Sequence, residues 1–311
     1  MAKEYKYLFG PVPSRRLGLS LGIDIVPFKI CTLDCVYCEL GITTDKIITR
    51  GEYVDLDAVL AELKQKIQQG LDADYITISG SGEPTLNKSM GKLITEIKKV
   101  TDIPVAILTN ATLFDDPDVR ADCRLADVVL PSLDAAEQSA FEKINRPHTS
   151  IDVEKIIAGL IDFRSEFSGL IWLEIFFIDG INTDNKQVLA LKTAVDKIKP
   201  DIIHLNTAVR PTAEKNIRRV EKEKLDEIAR VLGPNAQVIA DFDKAKEDKS
   251  VQIKAEDVFA LLKRRPCSLD DICSGLGLHK NEAIKYVTQL LNAGQIIEQE
   301  MNKKHFYLAK T

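Results

Sequence analysis

No apolar run in this chain is long enough to cross a bilayer, and Met1 to Tyr7 are polar and charged rather than apolar. The first absence excludes a helical membrane span. The second sets the expectation of a cytoplasmic protein without a secretory leader. A dominant charge is also missing: 42 Lys and Arg face 47 Asp and Glu, for a net charge of -5. That balance gives no general pull toward nucleic acid or acidic membranes. Internal repeats and low-complexity tracts are absent. Cysteine is sparse, with six in 311 residues, none before Cys31 and no second C-x2-C pair. A structural zinc site wants four ligands, usually as two separated pairs, so zinc fits poorly. A disulfide among the first three cysteines would leave one thiol over, in a chain with no other mark of secretion.

Those three cysteines read Cys31-Thr-Leu-Asp-Cys35-Val-Tyr-Cys38, a C-x3-C-x2-C run. Three thiolates on one short loop suit three corners of a four-iron cluster. The fourth iron is then left open to a small molecule, which points to chemistry rather than electron storage.

Around this loop, apolar β-rich runs alternate with amphipathic stretches. Strands are expected at 21–26, 75–79, 105–109, 128–132, 171–178 and 202–206, with a final apolar run at 237–240. Helices are expected at 56–69, 88–100, 117–124, 135–144, 153–167, 186–198 and 221–232. Such alternation implies parallel strands with crossover helices, here an α/β partial (β/α)6 barrel of TIM type over 1–240. Catalytic groups in this architecture sit at the carboxyl ends of strands, and the unusual residues of this chain fall there. A charged stretch at 241–250 reads as a linker. Beyond it, helices at 255–264, 269–274 (capped by Ser268) and 279–292, then a hairpin at 295–308, outline a small winged-helix domain over 251–311.

Ser79-Gly80-Ser81-Gly82-Glu83-Pro84 follows a strand. Small residues there let backbone approach a ligand, and Glu83 adds a negative charge or fixes the loop. An ordinary glycine turn would look the same. The cysteine loop after one strand and a Gly-Glu-Pro loop after the next together resemble the radical S-adenosylmethionine (SAM) superfamily, over roughly residues 15–210. The words Gly10-Pro-Val-Pro-Ser-Arg-Arg-Leu-Gly18, Gly82-Glu-Pro-Thr-Leu-Asn87, Thr109-Asn-Ala111, Ser132-Leu-Asp-Ala135 and Ile144-Asn-Arg-Pro147 narrow the resemblance to its wyosine-synthase-like branch, whose members modify a guanine in transfer RNA. True wyosine synthases carry further cysteines before the SAM motif. This chain has none, so a one-cluster enzyme with a different product is expected.

The resemblance implies residue roles. Cys31, Cys35 and Cys38 would hold a [4Fe-4S] cluster, and SAM would chelate the open iron. Tyr37 would meet the adenine, and Ser79, Gly80, Ser81, Gly82 and Glu83 the methionyl amine. Asn110, Ser132 and Asp134 complete the expected cofactor-binding set. A low-potential electron donor of flavodoxin or ferredoxin type is implied. From the residues themselves, Arg15, Arg16, Asn206 and Arg210 are substrate candidates. The two arginines of the doublet suit a phosphate or carboxylate, though a surface pair would read alike. Asn145, Arg146 and His148 read as a capping or solvated loop, with lining of the pocket as the alternative. Cys123, Cys267 and Cys273 read as small hydrophobes. The leading expectation is a radical SAM enzyme acting on RNA or another substrate, with RNA or a partner protein reached through the winged helix. The alternatives are an activase that places a radical on a partner protein, and a nonenzymatic iron–sulfur regulator.

Overall fold

The computed structural model describes residues 5–240, 254–276, 278, 280–301 and 304–310. In chain order, β1 (Leu8–Ser14), β2 (Gly18–Ile23), β3 (Ile30–Cys31) and β4 (Asp45–Lys46) come first. They are followed by α1 (Leu56–Gln68), β5 (Tyr75–Ile78), α2 (Met90–Val100), β6 (Val105–Thr109), α3 (Pro117–Cys123), β7 (Val128–Pro131), α4 (Gln138–Asn145) and α5 (Val153–Glu166). Then come β8 (Leu170–Phe177), α6 (Asn185–Ile198), β9 (Ile202–Thr207), α7 (Lys222–Leu232) and β10 (Ala236–Val238). The C-terminal segment holds α8 (Ala255–Arg264), α9 (Leu269–Leu276), α10 (Lys280–Asn292), β11 (Ile296–Met301) and β12 (Lys304–Ala309).

One eight-stranded sheet runs in the order β1-β2-β5-β6-β7-β8-β9-β10. All neighbours pair in parallel except β1, which lies antiparallel to β2. The central strands are apolar along their length because helices cover them; β7 is buried at every position. Helix starts follow local chemistry. Asp55, Asp116, Asp152 and Asp184 each accept amide hydrogens at an N-terminus, and Pro117 follows its cap directly. The main core runs from Tyr7 to Ala240.

The first sheet strand differs from expectation. β2 begins and ends earlier than 21–26, and Leu8–Ser14, where no strand was expected, forms β1. The proline-rich spelling hid it, since proline is tolerated on an edge strand. The expected linker at 241–250 lies outside the described residues. The C-terminal helices and hairpin occur as expected and enclose their own small core, from Val258 to Tyr307. Val12 of β1 packs against that core, and Gly275 meets the Pro13 ring. The C-terminal segment therefore rests on the edge strand beside β2.

Candidate functional site

The three cysteines leave β2 on a loop pinned from several sides. Backbone amides of Asp34 and Val36 donate to the carbonyls of Asn145 and Ile144 at the end of α4. The amide of Ala213 donates to Cys38, and that of Glu214 to Val36. Each thiol also receives one N–H donor: Lys29 Nζ lies 2.9 Å from Cys38 Sγ, Asn145 Nδ2 3.3 Å from Cys35 Sγ, and Asn110 Nδ2 3.5 Å from Cys31 Sγ. Burial, reinforced by Glu83, pushes the Cys31 thiol up to about 12. Burial, reinforced by Asp134, raises Cys35 well above its ordinary value. A cationic centre would reverse this, because a coordinated thiol loses its proton. Among the described residues no three His, Cys, Asp or Glu side chains close on a point that could hold a single metal ion. A cubane instead takes its thiolates at separate corners, so three cysteines on one loop, each with an N–H donor, fit a cluster and not a lone ion.

The glycine-rich loop is built against the cysteine loop. The Glu83 amide donates to Ile30 O at 3.1 Å, and a Cβ on Gly82 would stand 1.9 Å from that same oxygen. Gly80 takes a φ of 146° and faces the Asp24 carboxylate at the end of β2. Ser81 donates to Asp24 through its hydroxyl at 2.6 Å and its amide at 3.1 Å. Glu83 itself is buried and faces inward. Its carboxylate accepts from Thr85 N and Oγ1, Thr109 Oγ1 and Asn110 N, at 2.6–3.0 Å. Four donors saturate a carboxylate, so Glu83 fixes the loop rather than presenting charge.

Asp134 behaves likewise. It accepts from Tyr37 OH at 2.5 Å, Asn145 Nδ2 at 2.7 Å and the Phe176 amide at 2.8 Å. The Tyr37 ring stacks on Phe176 with centroids 3.9 Å apart. Asn110 is braced by Thr32 and Thr112, and the half-buried Ser132 bridges to Glu174 in the sheet. Of the expected cofactor set, Tyr37, Glu83, Asn110 and Asp134 thus hold the wall together, while Ser79, Gly80, Ser81 and Gly82 form its backbone edge.

Three of the substrate candidates, Arg15, Arg16 and Asn206, converge on β8 and β9. Arg15 donates to Asn206 Oδ1 at 2.9 Å, and Asn206 Nδ2 donates to Glu174 Oε1 at 2.8 Å. Arg16 forms an ion pair with Glu174. Arg210, 2% exposed, lies 3.4 Å from both Glu39 and Asp271. None of these arginines is the surface pair that the spelling also allowed. The sequence reading passed over several partners. Asn145, read as a cap with pocket lining as the alternative, is buried against Cys35 and Asp134. Lys29, Glu39 and Asp24 had no signal beyond nearness to the motif. Arg264, which pairs with Asp24 and lies 3.0 Å from Ser81 Oγ, comes from the C-terminal segment. The Arg264-Arg265 doublet before Pro266 was its only mark. Cys123 and Cys267 are buried, as expected of small hydrophobes.

Comparison with known proteins fits this geometry. The model of the radical SAM superfamily matches residues 25–191, which contain the cysteine loop, the glycine-rich loop and β8. The chain belongs to the radical SAM superfamily. Radical SAM proteins generally use a [4Fe-4S] cluster and SAM, and the cysteine motif for the cluster is present here. A UPF0026 protein of Methanocaldococcus jannaschii is 31% identical, with 96% of this chain and 95% of that protein covered. A protein of Brachyspira hyodysenteriae named GTPase Obg is 37% identical over 96% of this chain, which spans 44% of that protein's length. Among solved structures, TYW1 with a lysine-pyruvate adduct bound shares the fold with a TM-score of 0.54 at 19% identity, covering 72% of this chain and 75% of that one. No helix of the described residues is long and apolar enough to cross a membrane.

Proposed function

We propose that this radical SAM chain reductively cleaves SAM at a [4Fe-4S] cluster on Cys31, Cys35 and Cys38, within a partial (β/α)6 barrel over 1–240 that carries a winged-helix domain over 251–311. The observation that carries the reading is the joining of two loops. The cysteine loop and the Ser79–Glu83 edge share the Ile30 carbonyl, so cluster and cofactor sites are set by one backbone contact.

When bound, the cluster and SAM supply the chemistry: an electron passed to the sulfonium yields methionine and a 5′-deoxyadenosyl radical, which takes hydrogen from the substrate. The chain's residues bind, orient and exclude water. Lys29, Asn110 and Asn145 hold the three sulfurs. The backbone edge from Ser79 to Gly82 offers peptide groups to the methionyl amine. Tyr37, stacked on Phe176, walls the adenine side. A flavodoxin- or ferredoxin-like donor supplies the electron. RNA or a partner protein entering beside the C-terminal segment is the competing kind of substrate to a small molecule.

Anaerobic reconstitution followed by electron paramagnetic resonance tests the cofactor assignment. Addition of SAM to the reduced protein is expected to change the cluster spectrum, because SAM reaches an open iron. A spectrum indifferent to SAM overturns the assignment.

A further inference from the structure

A charged cluster is built from both parts of the chain. Arg15 and Arg16 come from the turn between β1 and β2, Arg210 from the segment after β9, and Arg265 from the end of α8. Arg15 feels the charges of Arg210 and Arg265, and Arg16 those of Arg15 and Arg265. Burial foremost, with neighbouring guanidinium groups adding to it, holds Arg15 and Arg16 below the usual arginine range; Arg265 is among those neighbours in both cases. Glu174 pairs with Arg16, and Glu39 and Asp271 pair with Arg210. The orientation is written in local structure: Ser268 caps α9 through a 3.1 Å bond to the Asp271 amide, and its own amide and hydroxyl hold the Asp271 carboxylate at 2.9 Å. That carboxylate then faces Arg210. Arg265 Nε is buried with no hydrogen-bond partner. The cluster adjoins the cysteine loop, since Glu39 follows Cys38 and the Arg210 segment returns to Cys38 O through Ala213. α8 and α9 lie along β1, with Arg264 reaching Asp24 and Ser81.

We propose that Arg15, Arg16, Arg210 and Arg265 bind the anionic group, a phosphate or carboxylate, of a small substrate enclosed between the sheet and the C-terminal segment. The proposal rests on the radical SAM reading for the site's purpose, but not for its binding chemistry. Planar guanidinium groups match both anions with paired donors. The C-terminal segment meets the site through Arg264, which reaches Ser81, and Asp271, which faces Arg210. Its inward residues are Arg264, Arg265 and Asp271, while exposed Lys280 sits near Asp270 and exposed His305 beside Glu298.

Calorimetric titration of the full-length chain with inorganic phosphate and with malonate, at constant ionic strength and without SAM, tests this. Saturable binding of at least one probe is expected, weakened about tenfold or more in Arg265→Gln, because a charged hydrogen-bonded contact is lost. Arg265→Lys is expected to keep part of the affinity, and Lys280→Gln all of it. The stronger of the two probes names the anion. Circular dichroism verifies folding, and if Arg265→Gln is unfolded the Arg265→Lys and Arg15→Lys losses decide. Binding of neither probe, equal binding by wild type and Arg265→Gln, or binding of a transfer RNA transcript alone overturns the proposal. Formation of 5′-deoxyadenosine is scored separately, so its failure would strike the radical SAM reading and leave the anion result standing.

Discussion

Substituting Gly82 by alanine tests the link between the two loops. An added Cβ would stand 1.9 Å from Ile30 O and 2.9 Å from its carbon, where ordinary contact begins near 3.4 Å. The two nearest atoms are Ile30 backbone, so no flexible side chain can yield there. The loops must part by roughly 1.5 Å, taking with them the 3.1 Å bond from the Glu83 amide to that oxygen. Overpacking of this kind costs about 1–3 kcal/mol, and loss of a buried hydrogen bond about 1 kcal/mol more. The cysteines remain, so the variant is expected to load iron. Misplacement of the methionyl edge by about 1 Å is expected to slow SAM cleavage on the order of 100-fold. The assay pairs urea unfolding with iron content and anaerobic 5′-deoxyadenosine formation. A Gly82→Ala protein that cleaves SAM at the wild-type rate would refute the argument that this contact sets the cofactor site.

Replacing Lys29 with methionine removes the donor 2.9 Å from Cys38 Sγ, and the cluster potential is expected to fall by on the order of tens of millivolts in a redox titration. An unchanged potential would show that Lys29 does not touch the cluster. Asn145→Leu strips one donor from Cys35 and one from buried Asp134; a loss of about 1–3 kcal/mol in urea unfolding and lower iron occupancy are expected. In the metal-free chain the Cys31 thiol stays protonated to about pH 12, while its unfolded counterpart ionises near 9.0. Its contribution to stability is therefore complete below about pH 9 and lost as pH rises toward 12, a decline that Cys31→Ala is expected to flatten.

How much of this was legible in the sequence depends on the range of the interaction. The parallel strands were visible because each is an apolar run fed by an amphipathic helix; β6 fell at 105–109 as read. The cysteine spacing and the glycine-rich loop located the site, since both record local backbone needs. Asp24 and Arg265 were not legible, because their roles arise from contacts with residues far away in the chain. Arg264 meets Ser81 across 183 positions, and Arg15 meets Asn206 across 191. Glu83 and Asp134 were found, but their direction was not: inward hydrogen bonding depends on Thr109, Asn145 and Phe176, which no spacing reveals. The edge strand β1 was missed because its prolines spell a loop locally and only β2 makes it a strand.

Anaerobic formation of 5′-deoxyadenosine by the reconstituted chain, with dithionite and SAM, tests the central claim most directly. The three-cysteine site predicts product from the wild type and none above background from Cys35→Ala. Equal traces from both proteins would contradict it.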